Sequence, residues 1–235
     1  MRRNFSFLFI SLITNGSLLT PQRGLELWEA GLDELSISLD FLDQRHDRGR
    51  GIPGLTDHIL SVVPELKAAG VNLCINVVIK KENFRETPQI LLKAAEMGIK
   101  VSFSTYNCWR TENDFHMIGR EDLPALEEVI VRLKRLKRSL GNLTSGDYYL
   151  DGIPAFFAHK AAAGCTAGLN WVQVTPDGMI KRCSDKPPVC HFDEWERHIF
   201  KRTDCNRCWY SCRGAAQEPW TVKRFLEMAR DALFA

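Results

Sequence analysis

Four apolar runs alternate with helix-like stretches in the first part of this 235-residue chain. The runs cover residues 5–13, 35–39, 71–79 and 99–104, and helical patterns occupy 22–30, 54–69 and 84–97. Short apolar runs rich in β-branched residues are typical of strands, and a helix between two strands allows them to lie parallel. Parallel sheets need cover on both faces and right-handed connections. The alternation therefore predicts an α/β protein, either a barrel or a doubly wound sheet.

The pattern changes after residue 140. Residues 121–140 carry apolar side chains at helical spacing, which predicts a long amphipathic helix packed on the sheet. Two short runs at 171–175 and 179–183 flank Pro-Asp-Gly and predict a β-hairpin, and a last helix is expected at 221–233. The predicted organisation is an α/β domain at 1–140, a linker at 141–164 and a cysteine-rich domain at 165–235.

Five cysteines in the last third of the chain are spaced as in a metal site. Their pattern is Cys165-x17-Cys183 and then Cys205-x2-Cys208-x3-Cys212. Bringing thiolates from two distant segments together costs free energy unless a metal ion or cluster binds them. Four thiolates at such spacings suit zinc or a [4Fe-4S] cluster. A chain of this size does not need disulfides to stabilise its core. The pattern therefore predicts a zinc or iron-sulfur site.

Composition and charge exclude several classes of partner. The formal net charge is +2 with both signs interspersed, so no surface for nucleic acid or an anionic membrane is predicted. No segment has the roughly 20 apolar residues that span a bilayer. Residues 1–13 imitate a secretory signal, but no small-x-small cleavage site follows them. We therefore expect a cytoplasmic protein, and a secreted disulfide protein is the competing interpretation.

Polar residues are found where the predicted strands end. Ligands of parallel α/β proteins lie at the carboxyl ends of the strands, so these residues are candidates for binding a polar small molecule. Taken singly, each is explained by the turn and cap preferences of Asn, Asp, Ser and Gly. Their occurrence at four successive strand ends favours a site. The candidates are Thr14, Asn15, Gly16, Ser36, Ser38, Asp40, Asn76, Asn83, Ser102, Ser104 and Tyr106.

Other polar side chains leave alternatives open. His46 and Asp47 follow the second strand with arginines close by, and this loop either binds an anionic group or caps the next helix. Cys74 lies within a β-branched strand and is expected to be a small buried side chain. Cys108 lies past the fourth strand, where a thiol without an adjacent base is a weak candidate nucleophile.

These motifs together resemble the radical S-adenosylmethionine (SAM) superfamily with a C-terminal SPASM or twitch iron-sulfur domain. The strand ending in Thr-Asn-Gly, Ser-Ile-Ser-Leu-Asp followed by His-Asp, and Ile-Asn-Val-Val-Ile resemble the third, fourth and fifth strands of that barrel in order. The tail, with its cysteines and Pro-Asp-Gly, resembles the auxiliary-cluster domain. The resemblance covers nearly the whole chain and implies a partial (β/α) barrel followed by a small cysteine-rich domain with a β-hairpin.

The resemblance also implies ligands for individual residues. Ser38 and Asp40 would lie near the ribose and methionine parts of SAM. The residues that would line the rest of the cofactor cavity are Thr14, Asn15, Gly16 and Asn76. The implied ligands of one auxiliary [4Fe-4S] cluster are Cys165, Cys183, Cys205 and Cys208, with Cys212 as an alternative fourth ligand and Cys190 as a less expected substitute. The tail has too few cysteines for two complete auxiliary clusters, which favours the twitch version.

One motif of the family is missing from these 235 residues. Radical SAM enzymes hold their SAM-cleaving cluster on a Cys-x3-Cys-x2-Cys loop, whereas the tail of this chain has that spacing only in reverse order. We expect a truncated enzyme whose intact form generates a 5'-deoxyadenosyl radical and modifies a small-molecule or peptide substrate, with ferredoxin or flavodoxin as reductant. The chain alone is not expected to cleave SAM, and no catalytic residue is assigned. A non-catalytic iron-sulfur or zinc adaptor is the alternative.

Overall fold

A four-stranded parallel sheet forms the centre of the α/β part. The computed structural model describes residues 8–197, 203–222 and 224–225. The strands are β1 (Ser11–Thr14), β2 (Glu34–Ser38), β3 (Leu73–Ile79) and β4 (Lys100–Thr105), and they neighbour one another in chain order. All three pairings are parallel, so each connection crosses a face of the sheet. The predicted α/β fold with parallel strands is confirmed.

Helices connect the strands and follow the last one. The described helices are α1 (Pro21–Glu29), α2 (Gln44–Arg50), α3 (Leu55–Ala68), α4 (Thr87–Glu96), α5 (Cys108–Thr111), α6 (Leu123–Leu140), α7 (Asp147–His159) and α8 (Ser211–Gln217). Single 3-10 turns at Phe84–Glu86 and Arg120–Asp122 lead into α4 and α6, and a third lies at Phe192–Arg197. None of the helices in the described ranges is long and apolar enough to cross a membrane.

The two faces of the sheet differ in cover and chemistry. Ile37, Ile75 and Val101 are aligned across β2, β3 and β4, and each is at most 1% exposed on the face that α3 and α4 cover. Side chains alternate between faces, so the next residue in each strand points the other way. Those residues are Ser38, Asn76 and Ser102, and all three are only partly buried. The second face is therefore polar and open enough to receive a ligand.

Strand β1 is exposed and begins later than the sequence predicts. The expected strand covered residues 5–13, of which 5–7 lie outside the described residues, and the observed strand is Ser11–Thr14. The side chains of Phe9 and Ile13 are 64% and 63% exposed. Within the described part of the chain, β1 pairs only with β2. This exposure follows from the place of β1 at the edge of the described sheet, because an edge strand lacks a neighbour on one side.

The stretch expected to be a linker contains helix α7, which the sequence analysis did not identify. Leu150, Ile153 and Phe156 on this helix are at most 1% exposed, so it belongs to the hydrophobic core. Gly152 and Pro154 lie inside the helix, and both residue types are unfavourable in helix interiors. Its tertiary contacts thus outweigh a weak local signal.

A second, antiparallel sheet of three short strands follows α7. Its strands are β5 (Gln173–Val174), β6 (Met179–Lys181) and β7 (Pro188–His191), in that order. The predicted hairpin around Pro-Asp-Gly is confirmed, and Gly178 occupies the left-handed region there with a φ of 82°. Strand β7 was not predicted because Pro187 and Pro188 disfavour a strand. The helix expected at 221–233 lies largely outside the described residues.

Candidate functional site

Five cysteines line one cavity in the C-terminal part of the molecule. The cavity has a volume of about 210 Å³. The cysteines in its wall are Cys165, Cys183, Cys205, Cys208 and Cys212, which are the five that the sequence spacing selects. Every cysteine in the described residues is a free thiol. Cys190 lies in β7 opposite Ile180 and is not among the lining residues. The fold therefore brings together all five candidates from three separated segments.

Several elements position these thiols. Cys183 follows the end of β6 by two residues, and Cys212 is the second residue of α8. Cys205 and Cys208 lie in the segment that leads into α8. On the other side, Cys165 precedes a tight loop that the bridge between Ala167 and Trp171 closes. Cys212 thus lies on a helix, where the sequence analysis expected irregular structure.

The electrostatics of the cavity show that the thiols lie near one another. Burial raises the pKa of Cys208 to about 11 and also raises the pKa values of Cys183 and Cys212. Negative charge on Cys165 raises the pKa of each of these three thiols further. Several thiolates in one buried space repel each other. Burial therefore favours neutral thiols, and a cationic group is needed to stabilise the thiolate set.

Arg213 supplies a positive charge in the wall of this cavity. Its side chain is 0% exposed, and it donates hydrogen bonds to the carbonyl oxygens of Cys208 (2.6 Å), Ala162 (2.5 Å) and Ala163 (2.7 Å). Its Nε donates to Gln217 Oε1 at 2.5 Å. No carboxylate in the described residues forms an ion pair with it. The charge lowers the pKa of Cys208 and so opposes the effect of burial.

The thiols surround a space, and they do not converge on one point. Among the residues that the structure describes, no three side chains of His, Cys, Asp or Glu lie close enough together to hold a metal ion. A tetrahedral zinc site would require four sulfurs each about 2.3 Å from a common centre. A four-iron cluster is larger than an ion and is ligated at its corners by separate thiolates. A thiol-lined cavity of about 210 Å³ fits the second arrangement.

Hydrogen bonds fix the thiol cavity against the carboxyl end of β4. The hydroxyl of Thr105 donates to the carbonyl oxygen of Trp209 at 2.6 Å, and the Trp209 indole N–H donates to the carbonyl oxygen of Tyr149 at 2.9 Å. The amide of Asn107 donates to the Tyr210 hydroxyl at 3.0 Å. Trp209 and Tyr210 directly follow Cys208. The cysteine segment is therefore anchored at the strand ends, where parallel sheets bind ligands.

Ser38 and Asn76 are the two candidate cofactor residues that the structure brings together. They are register partners on neighbouring strands, and Ser102 lies beside Asn76 on the next strand. All three side chains share the polar, partly covered face of the sheet. This row offers hydroxyl and amide groups that can both donate and accept hydrogen bonds.

Asp40 has a different environment from the one expected of a free ligand group. Its carboxylate accepts a hydrogen bond from Val78 N at 2.8 Å and lies 3.3 Å from Arg50 Nη2. Its carbonyl oxygen accepts from the Asn83 amide at 3.0 Å, and Asp40 is only 8% exposed. Asp40 therefore ties the end of β2 to the end of β3, beside Ser38.

Thr14, Asn15 and Gly16 form a tight turn at the end of β1. The Thr14 hydroxyl accepts a hydrogen bond from Gly16 N at 3.1 Å, and the Asn15 side chain accepts from Ser17 N at 3.1 Å. Gly16 has a φ of 79°, and a Cβ there would lie 3.0 Å from Ile59. Thr14 is aligned with Ile37 on the helix-covered face. Thr14 and Ser38 therefore point to opposite faces of the sheet.

The segment after β2, predicted to be a loop, forms helix α2, and its Asp47 caps the next helix. The Asp47 carboxylate accepts hydrogen bonds from the backbone N–H groups of Gly54 and Thr56, both at 2.8 Å, at the start of α3. These bonds and the Thr56 hydroxyl lower the pKa of Asp47. His46 is 1% exposed and accepts from Asp40 N at 3.2 Å, and burial lowers its pKa. Of the two interpretations left open for this loop, helix capping is observed.

Cys74 and Cys108 have ordinary environments. Cys74 is 1% exposed, and burial raises its pKa to about 12, so it is the small buried side chain that the sequence predicts. Cys108 begins α5 and is partly buried against the core. The sequence analysis did not identify Arg213 and Trp209 as residues of the site. A single Arg or Trp next to a cysteine forms no spacing pattern that would indicate such a role.

Comparison with known proteins decides the family of the α/β part. Residues 2–94 match the sequence profile of the radical SAM superfamily. This part of the chain belongs to the radical SAM superfamily. The radical SAM part and the following segments also match a PqqA peptide cyclase from Ruegeria pomeroyi, with 29% identity over 193 residues, 78% of this chain and 49% of the relative. A GTP 3',8-cyclase from Synechococcus is 29% identical over 216 residues, covering 81% of this chain and 62% of that protein.

Solved structures show the same fold. Streptococcus suis SuiB bound to the precursor peptide SuiA superimposes with a TM-score of 0.57 at 15% identity, over 79% of this chain and 47% of that one. SuiB bound to S-adenosylmethionine gives a TM-score of 0.54 at 16% identity, with the same coverage of 79% and 47%. The chain spans about half the length of most of the relatives that it matches along its length.

Proposed function

We propose that this chain is the substrate-side part of a peptide-modifying radical SAM enzyme and that it holds one auxiliary [4Fe-4S] cluster. The observation that carries the proposal is the cavity lined by the five cysteines that the sequence spacing selects. The proposed division is a partial barrel at 1–140, a connecting segment at 141–164 and a twitch-like domain at 165–235. Membership of the radical SAM superfamily supports the first part.

The proposed cluster ligands are four of the five cavity thiols. Cys165, Cys183, Cys205 and Cys208 form the first set, and Cys212 replaces one of them in the alternative set. A cluster held by four thiolates in this position would pass an electron, and one held by only three would leave an iron open to bind substrate. The buried charge of Arg213 would offset the negative charge of the four thiolates, which the burial of the cavity disfavours.

SAM is proposed to bind along the polar face of the sheet. Ser38 and Asn76 would offer hydrogen-bonding groups to it, Asp40 would keep the ends of β2 and β3 together, and the turn formed by Thr14, Asn15 and Gly16 would border the cavity. Reduced SAM would supply the radical that starts substrate modification. The chain's own contribution here is to bind and orient the cofactor at the strand ends.

A peptide is the proposed substrate, and ferredoxin or flavodoxin the proposed reductant. PqqA peptide cyclases and SuiB with its precursor peptide SuiA support this choice. The proposed location is the cytoplasm, where these reductants act. Because the 235 residues contain no Cys-x3-Cys-x2-Cys spacing, the SAM-cleaving cluster would have to come from sequence outside them.

Anaerobic reconstitution with iron and sulfide tests the cluster. We expect about four irons and four sulfides per chain, with the absorption and EPR signals of a cubane. Cys183→Ser combined with Cys212→Ser leaves only three cavity thiols and should lose the cluster, whereas Cys190→Ser should keep it, since Cys190 is a buried thiol outside the cavity wall. Bound zinc without iron, or equal loss in both variants, would contradict the proposal.

A further inference from the structure

A second cavity lies against the thiol cavity and shares part of its wall. Its volume is about 690 Å³, within the ~300–1,000 Å³ range of ligand sites. The two cavities have four lining residues in common, which are Lys186, Thr203, Cys205 and Arg207. The remaining lining residues of the second cavity are Arg182, Pro187, Pro188, Val189, Asp204 and Asn206. We call this second cavity the cationic groove.

The cationic groove has an excess of positive charge. Arg182, Lys186 and Arg207 line it, against the single carboxylate of Asp204. In the described ranges none of these three cations forms an ion pair, and the guanidinium of Arg207 instead lies 5.4 Å from the ring centre of Trp109. Three cations beside one carboxylate repel one another. The groove is therefore favourable for an anion.

Two buried hydrogen-bond donors in the groove have no partner among the residues that the structure describes. These are Arg182 Nε and the hydroxyl of Thr203. A buried donor without an acceptor costs free energy, so such groups are normally paired or meet a ligand. Both donors would be satisfied by a group that only accepts hydrogen bonds. The charge and the unpaired donors thus call for the same kind of ligand.

We propose that the cationic groove binds a carboxylate of an acidic peptide segment, either a Glu or Asp side chain or the chain terminus. A guanidinium donates two parallel hydrogen bonds to a planar carboxylate. Pro187, Pro188 and Val189 add an apolar wall, which suits a peptide better than a free inorganic anion. This proposal rests on the proposed function, and it places the residues next to the carboxylate beside the auxiliary cluster.

Binding of labelled peptides to the reconstituted full chain tests the groove. Fluorescein-labelled hexaglutamate is titrated with protein and followed by anisotropy, and hexalysine of the same length is measured alongside. We expect hexaglutamate to bind and hexalysine not to bind. Arg182→Gln with Arg207→Gln removes two guanidinium groups that donate charge-assisted hydrogen bonds, so it should weaken binding at least about tenfold.

A matched control separates the groove from general charge attraction. Arg132→Gln with Arg135→Gln removes the same charge from the exposed side of α6 and should leave the affinity unchanged. Lys186→Gln and Arg207→Gln are also measured singly, because Arg182 is partly buried and its loss affects folding. Equal weakening by both double variants, or no weakening by either single variant, overturns the proposal.

The same samples distinguish failure of the groove from failure of the cluster. Iron is measured on each sample that is titrated. Suppose that a chain without iron binds hexaglutamate and that the groove variants weaken this binding. That result would support the groove proposal and contradict the proposed auxiliary cluster. Full iron content without hexaglutamate binding would overturn the groove proposal alone.

Inorganic triphosphate is used as the competitor. If it binds more tightly than hexaglutamate and the groove variants weaken its binding, the groove is assigned to a phosphate ester and the peptide proposal is overturned.

Discussion

At the residue scale, Arg213 is the side chain whose loss should have the largest effect on the candidate site. It is fully buried and bonds three carbonyl oxygens from two segments, 162–163 and Cys208. A buried cation without a carboxylate is unfavourable unless the surrounding groups accept its hydrogen bonds and an anion lies near. The thiol cavity provides both the acceptors and, when it holds thiolates, the negative charge.

Arg213→Gln should therefore lower both stability and cluster retention. Each buried carbonyl left without a donor costs about 1–3 kcal/mol, which urea unfolding would measure. In reconstituted protein, an EPR redox titration should show a shift of the cluster to more negative potential, because a compensating positive charge is gone. Arg213→Lys keeps the charge and should keep most of the potential. Equal potentials in wild type and Arg213→Gln would contradict this role.

Asp43 provides a pH prediction away from the cysteines. Arg45 Nη2 lies 2.6 Å from Asp43 Oδ2, and hydrogen bonding by this guanidinium lowers the pKa of Asp43 from 3.8 to about 2. Because the folded-state pKa is depressed, the stabilisation is present above pH 3.8 and is lost as pH falls through about 2. In an NMR titration, Arg45→Gln should return the Asp43 pKa towards 3.8. Arg48→Gln removes only a weak charge effect and should change it little.

At the element scale, close packing between α7 and the cysteine segment holds the thiol cavity in place. A Cβ on Gly152 would lie 2.5 Å from the Trp209 indole, so only glycine fits at this point of the helix. Trp209 is one residue from Cys208 and bonds Tyr149 of the same helix. The geometry of the ligand segment therefore depends on a helix that contributes no ligand.

Gly152→Ala should displace Trp209 and reduce iron content. Overpacking of this kind costs about 1–3 kcal/mol. Gly24→Ala is the matched control, because its Cβ would lie 2.5 Å from Leu66 in the contact between α1 and α3, far from any cysteine in sequence. Both variants should unfold at lower urea concentration, but only Gly152→Ala should lose iron per folded chain. Equal iron content in the two variants would contradict the proposed coupling.

At the scale of the whole molecule, one sheet carries two features of different chemistry. Ser38 and Asn76 lie on the polar face of β2 and β3, and the thiol cavity is anchored at the end of β4 through Thr105 and Trp209. This arrangement is consistent with the proposal that SAM binds along the polar face and that the thiol cavity holds the auxiliary cluster.

The reconstituted chain should not cleave SAM by itself. Four thiolates saturate the irons of the proposed cluster, so no iron is left open to bind SAM. Dithionite-reduced protein incubated with SAM should yield no more 5'-deoxyadenosine than the cluster-free double variant Cys183→Ser with Cys212→Ser, as measured by liquid chromatography. Production of one equivalent per chain would show that this cluster, or another in the chain, has an open iron.

Local patterns were sufficient for the central sheet and for the set of cysteines. Strands β2, β3 and β4 fall within one or two residues of their predicted positions because apolar runs and glycine stops are local signals. Helix α7 was missed because Gly152 and Pro154 contradict its local preference.

By itself, the sequence determined the parallel α/β arrangement, the family resemblance and which five thiols line one cavity. The reason is that periodicity and spacing are properties of the local sequence. Only the tertiary structure decided that Thr14 and Ser38 lie on opposite faces, that Asp40 ties two strands, and that Cys190 lies outside the cavity wall. It alone revealed buried Arg213 and the cationic groove. These features depend on contacts between segments far apart in the chain, which no local pattern encodes.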